Sequence, residues 1–154
     1  MSTIPAVRRA DPAALPLDPA PIDPAWIVSG EPFARCAPLG DAGAVQTAVW
    51  DCTAGVFDWR YNAEETICIV AGEAIVTGQD GIARRLRAGD VAIFPGHAWV
   101  RWHVPDYVRK IAIQSRPVPA LLRHVGTRLR CKLRRMAGLD RVGEPPRLML
   151  RPGE

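Results

Sequence analysis

The side chains best suited to chemistry in this 154-residue chain crowd into two short stretches, "DWRYNAEET" (58–66) and "AWVRWHV" (98–104). The first carries Trp59, Tyr61 and Glu65 at positions of one parity, and the second carries Ala98, Val100 and Trp102 likewise. Along a strand, side chains of one parity share a face. If both sets face one interior, they bring two indoles, a phenol, a carboxylate and small apolar groups together. Apolar walls with few convergent polar groups suit an organic ligand. Aromatic faces also accept flat or cationic groups. Burial raises the pKa of a carboxyl unless a cation or a hydrogen-bond donor compensates, and a raised pKa is what acid–base catalysis uses. Glu65 and Tyr61 are therefore the candidate catalytic residues, and Trp59, Tyr61, Glu65, Val100 and Trp102, with Lys110 as a sixth, the candidate ligand-binding set. The same rings are also suited to filling a narrow barrel solidly.

Metal chemistry is not expected. The histidines His97, His103 and His124 do not complement Cys36, Cys52, Cys68 and Cys131 at zinc-site spacing, and no C-x-x-C pair occurs. The cysteines read as free thiols of a reducing compartment. Neither a metal nor another cofactor is expected.

Strands must position these residues. "AVQTAVW" (44–50) and "ETICIVAGEAIVT" (65–77) are β-prone, and "GQDG" (78–81) turns the chain into "IARRL" (82–86). "AGDVAIFPG" (88–96) holds a short apolar strand between turns, "AWVRWHV" alternates by two, and "YVRKIAIQS" (107–115) adds another strand. Short strands with glycine turns and no helical pattern between them predict an antiparallel sandwich or barrel.

The segment "GVFDWRYNAEETICIVAGE" with "GDVAIFPGHAWVRW" resembles the two motifs of the cupin superfamily. Glu65 and Gly72 keep the spacing of the first motif, and Gly89, Asp90 and Pro95 that of the second. The resemblance covers roughly residues 26–116 and is greatest to the single-domain ethanolamine-utilisation and ureidoglycine-type members. It implies an all-β fold, an antiparallel jelly-roll barrel. It also implies that Trp59 and Tyr61 stand at the first two metal-ligand positions and Val100 at the third, leaving Glu65 alone of four. On strand parity His103 then faces away from the pocket, and His97 sits by the Pro95-Gly96 turn near its rim. Lys110 has two readings. The apolar parity of Ile111 and Ile113 is the natural core set and would put Lys110 outside, whereas the shared "VRK" (108–110) makes Lys110 an inward partner for Glu65. Cupins commonly form homodimers, and a homodimer is expected here on that resemblance.

Outside the barrel, residues 1–24 contain six prolines and little periodicity, so 1–25 reads as an extended arm. Residues 26–116 form the barrel, and 117–154 a basic helix and tail. Val118, Leu121, Leu122, Val125, Leu129, Leu133 and Met136 recur at helical spacing and predict an amphipathic α-helix over 117–137. Charge divides at the same boundary: residues 1–115 carry 10 Lys+Arg and 13 Asp+Glu, a net of −3, and residues 116–154 carry 10 and 3, a net of +7. Nucleic acid or an anionic membrane surface is one partner class for that helix. Packing of its apolar stripe, with solvated arginines outside, is the preferred reading. No run of 18 apolar residues and no secretory leader are evident, so the cytoplasm is the expected compartment. The function expected is binding of a small organic molecule, with a non-catalytic dimeric scaffold whose basic C-terminal helix binds an anionic partner as the alternative.

Overall fold

A computed structural model describes residue 7, residues 9–41 and residues 43–115. These all fall in the first of two compact units, 1–117. The helix expected over 117–137 lies outside the described residues. Among the described residues no helix is long and apolar enough to cross a membrane.

Among the described residues, eight strands make one antiparallel sheet: β1 (Asp18–Pro19), β2 (Ile27–Gly30), β3 (Ala34–Asp41), β4 (Val45–Arg60), β5 (Glu65–Thr77), β6 (Ala83–Arg87), β7 (Val91–Phe94) and β8 (Trp99–Ser115). A single 3-10 turn, Pro24–Trp26, precedes β2, its N-terminus capped by the Asp23 carboxylate accepting from the Ala25 N–H. The order is β1-β3-β4-β8-β5-β6, with β2 beside β4 and β7 beside β5. The all-β antiparallel expectation holds.

One difference concerns β8. "AWVRWHV" and "YVRKIAIQS" read as two strands but form one, running through Pro105-Asp106. Pro105 has no N–H to give a ladder. It falls where the register with β4 shifts, between the Thr53–Tyr107 and Gly55–Val104 pairs, so no ladder bond is asked of it.

The long strands curl through irregularities rather than running flat. β8 keeps one parity throughout: Val100, Trp102, Val104, Val108 and Lys110 are buried, while Arg101, His103 and Ile113 are exposed. On β4 the shift between Thr53 and Gly55 changes the parity of the inner face. Trp50 pairs with Lys110 before it, and Phe57 with Trp102 after it. On β5 the shifts around Gly72 do the same, from Ile67 and Ile69 to Ala74 and Val76. Gly72 is obligatory there: its φ is +71°, and a Cβ would stand 1.9 Å from the Tyr107 carbonyl oxygen. The core set in this way comprises Phe57, Tyr61, Ile67, Ile69, Val76, Phe94, Val100, Trp102, Val104 and Val108.

The proline-rich segment before β1 is held to the outside of the sheet. Arg109, only 7% exposed, donates from Nε to the Pro12 carbonyl and from Nη2 to the Leu15 carbonyl, both at 2.6 Å. Its Nη1 lies 3.5 Å from Asp51, whose carboxylate, 1% exposed, also accepts from Arg35 and from the Tyr107 hydroxyl. A buried carboxylate with these donors is compensated on several sides.

Candidate functional site

The interior is not filled solid. A cavity of about 570 Å³ opens among β3, β4, β5 and β8. Trp59, Tyr61, Glu65, Trp102 and Lys110 line it together with Trp50, Phe57, Cys36, Gln46 and Gln114, and with Ala20 and Pro21 from the segment after β1. Five of the six ligand-binding candidates thus meet at one cavity. Val100 does not line it: although buried in the core, it borders a separate cavity with Phe94 and Ala98. Trp59 is its direct partner across the β4–β8 ladder, yet the Trp59 ring lines the larger cavity and Val100 the other.

The polar centre is a buried ion pair. Lys110 Nζ donates to Glu65 Oε1 at 2.9 Å, with the two residues 6% and 8% exposed. Lys110 reaches inward because β8 turns its even-numbered side chains to the core. Of the two readings of "VRKIAIQS", the inward lysine is the one present. Its odd-numbered neighbour Ile113 is exposed on the outer face. The ammonium also lies over two indoles, 5.0 Å from the centroid of Trp50 and 4.8 Å from that of Trp102. A carboxylate and two ring faces therefore replace the water a lysine normally keeps.

Tyr61 sits just beyond β4, in a turn tied to the chain after β7. Its N–H donates to the Ala98 carbonyl, and its carbonyl accepts from the His97 N–H. His97 takes a φ of +67°, which few non-glycine residues adopt, to make that second bond. Gly96 allows the close approach, since a Cβ there would lie 3.3 Å from the backbone at Ala63 and Glu64. The Tyr61 ring stacks on Phe94 at 4.6 Å, and its hydroxyl accepts from Trp102 Nε1 at 3.2 Å. Burial, then the neighbouring Glu65 charge, pushes the Tyr61 phenol well above its usual pKa, so it stays protonated. Burial likewise raises the Cys36 thiol, with Lys110 pulling it down and Glu65 up.

The rings form one connected wall. Trp102 stacks parallel to Phe57 and meets Trp50 at 6.2 Å, Trp50 meets Trp59 edge-on at 6.4 Å, and Trp26 bridges Trp59 to Trp99 at 5.5 Å each. Sequence reasoning missed Trp50, Phe57 and Gln46. Trp50 and Trp59 have opposite parity, and only the irregularity between Thr53 and Gly55 puts them on one face. The signal available was "TAG" (53–55), a glycine inside a strand pattern, which marks such bulges. His97 and His103 are both exposed. Among the described residues no cluster of three or more His, Cys, Asp or Glu side chains is arranged to hold a metal ion.

Comparison with known proteins agrees with the all-β fold. Residues 39–112 match the family model described as the EutQ-like cupin domain. Among solved structures, the chain is similar to ethanolamine utilization protein Q of Salmonella typhimurium, with 21% identity over 54% of this chain and 69% of that one, TM-score 0.50. The EutQ protein of Clostridium difficile shares 20% identity over 55% of this chain and 63% of that one, TM-score 0.51. A DUF861-family protein of unknown function from Pseudomonas syringae pv. tomato shares 26% identity over 67% of this chain and 45% of that one, TM-score 0.61. The chain thus spans between about half and two thirds of these relatives' length. No curated protein matches it.

Proposed function

Because this chain is a cupin-superfamily protein resembling EutQ, we propose that its barrel serves as a binding site for a small organic molecule. The carrying observation is the cavity of about 570 Å³ walled by Trp50, Trp59 and Trp102 and floored by the Glu65–Lys110 pair. A cavity of that size suits a compact organic ligand. The indoles take its flat apolar body, and the ion pair takes its polar end. Lys110 has three N–H bonds, of which Glu65 accepts one, so a ligand oxygen has donors to meet.

The donor set does not suit a divalent metal. Among the family's ligand positions the carboxylate is retained, but an ammonium already engages it at 2.9 Å and rings occupy the neighbouring places. A cation entering there would face a positive charge. Function is therefore assigned to the side chains themselves, with Glu65 and Tyr61 as the groups able to handle protons.

The test uses the full chain and a panel of single-ring aromatic acids, amides and aldehydes, read as a shift in melting temperature. Members of the panel are expected to stabilise the native chain but not Ala48→Trp, whose indole would occupy the cavity beside Trp50. A panel without effect on the native chain, or equal stabilisation of Ala48→Trp, overturns the proposal.

A further inference from the structure

The chain has 20 basic Lys and Arg side chains, and only two of them are lysines, Lys110 and Lys132. The other ion pairs among the described residues use arginine: Arg35 and Arg109 with Asp51, Arg84 with Asp80, Arg85 and Arg87 with Glu73, and Arg101 with Asp58. Among the described residues, lysine occurs once, and it faces the cavity. The two residue types differ in one respect that matters here. A guanidinium does not give up its proton in a protein, whereas an ammonium does and then offers a nucleophilic lone pair. A purely structural cation at this place has no need of that property.

Resting on the binding proposal above and deepening it, we propose that Lys110 is a covalent site for carbonyl compounds, forming a Schiff base with an aldehyde or ketone held against the indoles. Three observations converge on it. The amine is buried yet lines a cavity large enough to admit a reactant. A carboxylate stands 2.9 Å from the nitrogen, within proton-transfer reach. The faces of Trp50 and Trp102 flank the nitrogen and keep bulk water from it.

The step balances with these groups alone. Glu65 Oε1 takes a proton from Lys110 Nζ, and the freed lone pair forms the bond to the carbonyl carbon. The C=O π pair moves to oxygen, which takes the proton back from Glu65. Glu65 then removes a second proton from nitrogen and delivers it to the hydroxyl. The C–O bond breaks, water leaves, and the nitrogen lone pair closes C=N. The product is an iminium cation in place of the ammonium, with the Glu65 carboxylate again its counter-ion. Charge in the site is the same before and after, so the cavity stabilises both states with one arrangement.

The experiment treats the full chain with benzaldehyde and sodium cyanoborohydride, which reduces an imine to a stable benzylamine, and locates the label by peptide mass. Lys132 and the chain's α-amino group serve as internal references. Label on Lys110 is expected to form at least about tenfold faster than on Lys132, an advantage equivalent to about 1.4 kcal/mol in the barrier. Benzyl alcohol, which lacks the carbonyl, should protect Lys110 and leave Lys132 unaffected. Glu65→Gln should slow labelling of Lys110 only, and Lys110→Arg should abolish it while retaining the cation. Labelling of Lys110 no faster than that of Lys132 overturns the inference. If benzyl alcohol and benzaldehyde nonetheless stabilise the native chain, the binding proposal stands and only the covalent step falls; if neither does, both fall.

Discussion

At the scale of single residues, Glu65 and Lys110 depend on each other. A carboxylate among aromatic rings, considered alone, loses nothing on becoming an amide, and Glu65→Gln would then leave the melting temperature unchanged or higher. The ammonium 2.9 Å away reverses that expectation, because the substitution leaves a cation buried without its counter-charge. Each of Glu65→Gln and Lys110→Met is expected to lower unfolding free energy by about 3 kcal/mol, and the double variant to recover most of the loss. Urea unfolding of the four proteins measures the coupling. Additive losses in the double variant would show that the pair carries no mutual stabilisation. The individual rings tolerate change differently. Trp59 is only partly buried, but Trp102 is stacked on Phe57, bonded to Tyr61 and set over Lys110, so its removal disturbs wall, turn and ion pair together.

At the scale of elements, the site exists because two strands change parity and a third does not. β4 and β5 each carry an irregularity that switches the inward parity, whereas on β8 Val100, Trp102 and Val104 before Pro105-Asp106 share one parity with Val108 and Lys110 after it. Gly72→Ala tests the β5 bend: it places a Cβ in left-handed backbone and against the Tyr107 carbonyl, and should cost at least about 2 kcal/mol in urea unfolding. A loss below about 0.5 kcal/mol would mean the strand relaxes freely there. The same bends explain what sequence reveals and what it hides. Strand β5 is legible to its ends, 65–77, because β-branched residues and a turn bound it. Tyr61, Glu65 and Trp102 are legible as a convergent set because no irregularity separates Trp102 from its neighbours on β8 and a short turn joins Tyr61 to Glu65. Trp50 is not, since parity counted forward from it puts Trp59 on the other face. Lys110 was ambiguous for a related reason. Ile111 and Ile113 look like a core pair, but they lie on the sheet's outer surface, where Ile93 and Val91 across β5 are exposed as well.

At the scale of the whole molecule, the chain running through β1 connects the outer surface to the inner cavity. Arg109 grips the carbonyls of Pro12 and Leu15 from outside, and a few residues later Ala20 and Pro21 form part of the cavity wall. Arg109→Ala removes both grips, worth roughly 2 kcal/mol against local opening, and should speed thermolysin cleavage near Leu15 about thirtyfold while the rest of the sheet resists. Cleavage unchanged from the native chain would show that the segment is held elsewhere. The sheet order carries a consequence of another kind. β4 and β5 are adjacent in the chain but are bridged by β8, the last strand of the described sheet to leave the ribosome. The two halves of the cavity wall wait unjoined throughout synthesis until residues 99–115 arrive to zip them together. Their apolar inner faces are uncovered for that whole interval, and because the pairings span tens of residues, closure is slow by its topology. The nascent chain is therefore most vulnerable to aggregation after β5 has emerged and before β8 has, a window that the translation rate between those strands sets.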